Sequence, residues 1–201
     1  MTTADEAARV LAGRRFGLVA VGASAGGVDA LLSLLPALPA GYRLPTVCLL
    51  HMPADRDSGL ARLFGERLRL PVKEAEDKEP ITPGTVYFAT PGYHLSVEQD
   101  RSFSLSLEPP VHFARPAIDV LLASAADAYG PALAALLLTG ANQDGADGMA
   151  AVHARGGLTV VQDPHEARAS TMPAQAIRRA TPDLVLPLAG IAALLPQLEA
   201  E

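Results

Sequence analysis

One pattern recurs along the chain and limits what it can fold into: a short unbroken apolar run, a turn, then apolar residues at helical spacing. Phe16 to Val21 is such a run, and beyond the turn Gly22 to Gly27 residues Val28, Leu31, Leu32 and Leu35 share a helix face until Pro36 stops it. Thr46 to Leu50 repeats the strand, and Ser58 can cap a helix carrying Leu60, Leu63, Phe64 and Leu68. Leu133 to Leu138 and Leu158 to Gln162 are further apolar runs, with a strand near Leu184 to Leu186 and a terminal helix closing the chain. Strands apolar on both faces need helices on both sides, which predicts an α/β fold: a doubly wound, mostly parallel sheet of six or seven strands.

Between Val72 and Leu107 the pattern changes to period two, in Val86 and Phe88, Leu95 and Val97, then Phe103, Leu105 and Leu107. Pro91-Gly92 and Asp100-Arg101 punctuate these runs, so an antiparallel hairpin excursion is expected there. Helical spacing returns at Ile118, Leu121, Leu122 and Ala125 up to Gly130, then in a short helix to Gly156-Gly157 and in one with Pro173 in its first turn. Residues 1–15 read as an N-terminal arm or short helix, and 16–201 as one domain.

With 201 residues, 49% of them hydrophobic, the chain can bury one substantial core. A net charge of −6 disfavours nucleic acid and anionic lipid as partners. Arg56, Arg62, Arg67 and Arg69 read as a solvated helix face. The single cysteine, Cys48, lies inside an apolar run, is expected buried and inert, and can form no internal disulfide. No run is long enough to cross a bilayer and no secretory leader precedes Arg14-Arg15, so direct membrane insertion is not expected and the location expected is cytoplasmic.

The segment Gly22-Ala23-Ser24-Ala25-Gly26-Gly27 joins a strand to a helix, where three chemistries could live. A phosphate-binding P-loop needs a lysine followed by Ser or Thr, and Val28-Asp29 supplies neither; a dinucleotide turn needs glycine where Ser24 stands. What fits is the G-x-S-x-G elbow, which lifts a serine oxygen out at the carboxyl edge of the sheet above a helix N-terminus. Ser24 as a plain helix cap is the simpler alternative, and a non-catalytic module whose glycine turn holds an anion or nucleotide is another.

A serine hydroxyl needs a base to take its proton. Of five histidines, His51 ends the second apolar strand and so faces the same rim as Ser24. His165, after another strand, competes with it, while His94, His112 and His153 sit in a turn, a proline-rich connection and a helix. The acid that orients the base is expected in the loop Thr139 to Gly145, at Asp144, with Asp147 as rival and Gly140 and Gly145 permitting tight turns. His51 with Asp55 and Asp57 could be read as metal ligands, but no further histidine or cysteine completes the set, and no metal is expected.

Together these loops resemble the catalytic domain of the chemotaxis receptor protein-glutamate methylesterase family, CheB. The residues that carry the resemblance are Val19 through Gly27, Leu50-His51-Met52-Pro53, Pro83-Gly84-Thr85-Val86-Tyr87, Arg115-Pro116-Ala117-Ile118-Asp119, Leu138-Thr139-Gly140 through Asp144-Gly145-Ala146, and Met172-Pro173. The resemblance implies that Ser24 attacks a glutamyl methyl ester on the cytoplasmic helices of a chemoreceptor, that His51 relays protons and that Asp144 orients His51. It also implies possible glutamine deamidation, no cofactor, and specificity set by surface docking. Ala25, Ala141 and Asn142 are the candidates for the oxyanion site or the crevice wall. Two positions depart from the family pattern: Ala25 replaces a threonine, and Thr139-Gly140-Ala141-Asn142 replaces Thr-Gly-Met-Gly, which changes the crevice wall. Only about fifteen residues precede the first strand, too few for the receiver domain that often covers the site in this family, so regulation by a fused phosphorylatable domain is not expected.

Overall fold

A computed structural model describes residues 3–52 and 58–199. The elements in chain order are α1 (Thr3–Leu11), β1 (Leu18–Ala23), α2 (Gly27–Leu34), β2 (Thr46–Leu50), α3 (Leu60–Gly65), β3 (Val72–Glu74), β4 (Val86–Phe88), β5 (His94–Val97) and β6 (Phe103–Ser106). They continue with α4 (Ile118–Tyr129), β7 (Leu133–Leu137), α5 (Ala146–Ala154), β8 (Leu158–Gln162), α6 (Thr171–Ala180), β9 (Leu184–Leu186) and α7 (Leu188–Leu194).

Seven strands form one parallel sheet in the order β3-β4-β2-β1-β7-β8-β9. Every residue of β1, β2, β7 and β8 is buried, because successive side chains enter two different cores. Val19, Val21 and Ala23 of β1 pack with α2, α3 and α7, while Leu18 and Ala20 pack with α4, α5 and α6. Cys48 lies wholly within the first core, where burial pushes its thiol well above the ordinary range.

Two details differ from the sequence reading. The antiparallel excursion is confined to the ribbon β5–β6, whereas Val86–Phe88 is a parallel strand of the main sheet. Val86, Tyr87 and Phe88 are all buried, so the apparent period of two was a fragment of a strand covered on both faces. The edge strand β3 carries Lys73 and Glu74, which break any apolar run and hide it from periodicity.

The chain winds outward from β1 to β2 and β4 on one side, then returns to β7, β8 and β9 on the other. The switch point between β1 and β7 opens a crevice at the carboxyl ends of the central strands.

Candidate active site

Strands β2, β1 and β7 end side by side, and the loop after each delivers one polar side chain to that crevice. Ser24 follows β1, with its N–H donating to the Thr139 carbonyl (2.9 Å) and its own carbonyl accepting from Gly27 N–H (2.7 Å). The left-handed residue of this turn is Gly26 (φ 81°), directly before α2, and not the serine. The strain of a nucleophile elbow is therefore not carried by Ser24. Gly22 lies within β1 and is small for a different reason: a Cβ there would come 2.6 Å from Ile118 Cγ2.

His51 is held at the end of β2 by its N–H, which donates to Ala23 carbonyl (3.2 Å). Its Nδ1 lies 3.1 Å from Ser24 Oγ and its Nε2 lies 2.7 Å from Asp144 Oδ2. An ionised carboxylate only accepts, so Nε2 carries the ring proton and Nδ1 is left to accept the Ser24 hydroxyl. In chymotrypsin-type triads the two ring nitrogens have the opposite partners.

Asp144 is fully buried. Ile118 N–H donates to its Oδ2 (2.7 Å) and Asp119 N–H to its Oδ1 (2.9 Å), so with His51 it has three donors. Burial works to raise its pKa, but these donors outweigh it and hold the carboxyl below its ordinary value. The loop turns into α5 at Gly145 (φ 95°), where a Cβ would also stand 2.6 Å from Leu137 Cδ1. Gly140 is not in the left-handed region; it is small because Met172 Sδ and Cε pack 2.5 Å from where its Cβ would be.

Two neighbours enter the site that spacing did not single out. Asp119, in the first turn of α4, accepts from Gly145 N–H (2.9 Å) and Gly148 N–H (2.6 Å), and its Oδ2 lies 3.3 Å from His112 Nε2. Burial, with the Asp144 charge adding to it, raises its pKa to about 6. Thr139 ties three loops together: its hydroxyl donates to Ala25 carbonyl (2.8 Å) and accepts from Ala169 N–H (2.9 Å), and its N–H donates to Gln162 Oε1 (2.9 Å). Neither carries a local signal, since each works through partners more than twenty residues away.

The rival candidates lie elsewhere. His165 is exposed, and Asp147 is exposed and paired with Arg179 Nε at 2.5 Å. His94 is buried as a structural group, accepting Ala117 N–H at Nδ1 and donating from Nε2 to Pro109 carbonyl, and His153 is exposed on α5. Asp55, Asp57 and Arg56 lie outside the described residues. Among the described residues, His112, Asp119 and Asp147 could share a cation, but Asp119 and Asp147 already hold the two amides and Arg179. Ala25 and Ala141 are exposed and Asn142 is half-buried at the rim, with Asn142 Oδ1 accepting from Asp144 N–H (3.3 Å). A cleft of about 430 Å³ opens here, lined among others by His51, Met52, His112, Phe113 and Asn142.

Known proteins share the sequence pattern and the fold of this chain. The profile of the CheB methylesterase family matches residues 19–195. The chain belongs to the CheB methylesterase family. A Leptospira interrogans relative, provisionally named a protein-glutamate methylesterase/protein-glutamine glutaminase, is 42% identical over 181 residues, which is 90% of this chain and 94% of that protein. The protein-glutamate methylesterase FrzG of Myxococcus xanthus is 36% identical over 180 residues, 90% of this chain and 54% of FrzG. The chain thus spans nearly all of the first relative and about half of the second. The CheB methylesterase catalytic domain of Thermotoga maritima has the same fold, with a TM-score of 0.86 and 33% identity over 91% of this chain and 98% of that one. Membership in this family does not favour the anion- or nucleotide-binding alternative.

Proposed function

We propose that this CheB-family protein is a serine hydrolase that cleaves γ-glutamyl methyl esters on the cytoplasmic helices of chemoreceptors, and glutamine amides by the same route. The catalytic unit is the domain 16–201, with 1–15 as an arm outside the chemistry. The observation that carries the reading is the unbroken relay from Ser24 Oγ to His51 Nδ1 (3.1 Å) and from His51 Nε2 to Asp144 (2.7 Å).

In this reading Ser24 Oγ attacks the ester carbonyl carbon as His51 Nδ1 takes its proton, and buried Asp144 stabilises the imidazolium through Nε2–H. The developing oxyanion is met by backbone N–H groups at the rim. Those of Ala25, Ala141 and Asn142 make no hydrogen bond among the described residues, which supports their assignment as donors. Collapse expels methanol, protonated from Nδ1–H, and leaves an acyl-serine. Water, deprotonated by His51, then releases the glutamate carboxylate and restores Ser24. Apart from this water, every group the route uses belongs to the chain.

The test is methanol release from a γ-methyl-glutamyl protein substrate. Wild-type protein is expected to release it and Ser24→Ala to lose at least a thousandfold in kcat with the fold intact; full activity in that variant would end the reading.

A further inference from the structure

Of the five phenylalanines, Phe64, Phe88 and Phe103 are 0% exposed, whereas Phe113 is 104% exposed and lines the cleft that contains His51. A lone exposed ring needs no explanation by itself, but this one lines the cleft and sits on a backbone held in an uncommon conformation.

The backbone that presents it is held against its own preference. His112 (φ 49°) and Phe113 (φ 63°) are successive non-glycine residues in the left-handed region. They form the tip of a two-residue turn closed by Val111 and Ala114, which exchange both backbone hydrogen bonds (3.1 and 2.9 Å). Such conformations persist where the surroundings impose them, and they concentrate at functional sites. Here the surroundings are specific. Arg115 Nη1 donates to the carbonyls of Leu107 (3.1 Å) and Glu108 (3.2 Å). On the other side His112 lies 3.3 Å from Asp119 Oδ2 and 3.1 Å from Gln143 Nε2. Gln143 adjoins Asp144, and Asp119 holds the amides that follow it, so the turn that carries Phe113 is positioned relative to the acid of the proposed triad.

The crevice opens above the central strands, while the sheet's free edges are β3 and β9. In the hydrolase reading above, the substrate glutamate stands on a helix, which meets the cleft through the side chains of one face. Its neighbouring side chains on that face lie about 5.4 Å apart, one turn along the axis. A second exposed apolar side chain, Leu107 at 65%, precedes the turn, and its carbonyl accepts from Arg115.

Resting on the hydrolase reading above, we propose that Phe113 is a specificity-determining contact for a helical protein substrate, packing against an apolar side chain one turn from the glutamyl ester that enters the cleft.

Two substrates test this: a synthetic amphipathic helical peptide with one γ-methyl-glutamyl residue and a leucine four residues away, and the γ-methyl ester of N-acetylglutamate. The ratio of their kcat/KM values is expected to fall at least tenfold in Phe113→Ala, through KM for the helix, and to be partly restored in Phe113→Leu. Replacing the peptide leucine by alanine should cost the wild type the same factor and cost Phe113→Ala little more. An unchanged ratio, with the small ester still cleaved, would overturn the proposal alone. Wild-type protein that cleaves neither ester would overturn the hydrolase reading and this proposal with it.

Discussion

Asp119 and Asp144 each cap the other's helix. Asp144, on the turn that leads into α5, accepts the Ile118 and Asp119 amides that begin α4, while Asp119 in α4 accepts the Gly145 and Gly148 amides that begin α5. Neither helix has a side-chain cap from its own N-cap residue, Ala117 or Gly145. The exchange satisfies four orphan donors and clamps two loops distant in sequence into one unit. The orientation of His51 depends on that clamp through its bond to Asp144.

Removing one half of the exchange should loosen the other. Asp119→Ala leaves the Gly145 and Gly148 amides without their acceptor, which is expected to cost on the order of 2 kcal/mol of stability. On the small ester, which does not reach Phe113, it should also lower kcat about tenfold with KM nearly constant, because there Asp119 acts through Asp144. Asp119→Asn keeps an acceptor oxygen and should recover much of both, as urea unfolding and ester hydrolysis would record.

The same carboxyl should leave a signature in pH. Burial, together with the Asp144 charge, raises Asp119 to about 6, while an unfolded aspartate titrates near 3.9 by about one unit of scatter. Between these values the folded chain keeps a proton that the unfolded chain has released, so stability should fall as pH rises from about 4 to 6 and level off above. The change is on the order of 3 kcal/mol, and Asp119→Asn should abolish it. Asp144 works in the opposite sense: its lowered pKa gives stability present above the unfolded value and lost as pH falls below it. Urea titrations from pH 3 to 8 would separate the two.

Asp144→Asn tests the proton assignment on His51. An amide in place of the carboxylate can donate to Nε2, which forces the ring proton to Nδ1 and removes the lone pair facing Ser24. The expected result is a fall in kcat of about a thousandfold or more with little change in KM.

Gly145→Ala combines two penalties, a left-handed φ of 95° and a Cβ placed 2.6 Å from Leu137 Cδ1. A loss of about 2 kcal/mol in stability is expected, together with reduced activity, because the displaced residue follows Asp144 directly. Gly41→Ala, where a Cβ would meet nothing within 4 Å, should be nearly silent in the same assays.

Much of this molecule can be read from its sequence because the central strands are apolar on both faces and their carboxyl ends share one rim. Continuous runs such as Thr46–Leu50 imply a parallel sheet, and a sheet of that kind makes Ser24, His51 and Asp144 neighbours before any distance is known. What could not be read lies in pairings with no local trace. Asp119 looks like an ordinary acid in a helix's first turn, although its partners stand 26 and 29 residues ahead. The ring proton of His51, the packing reason for Gly22 and Gly140, and the parallel pairing of Val86–Phe88 likewise depend on what arrives from elsewhere in the fold.

The most direct measurement of the central claim is covalent labelling by a fluorophosphonate, with the modified residue located by peptide mass spectrometry. The wild type is expected to carry one adduct on Ser24, formed at least a hundredfold more slowly in His51→Ala, since the hydroxyl is then without its base. An adduct on another residue, or an equal rate in His51→Ala, would contradict the account.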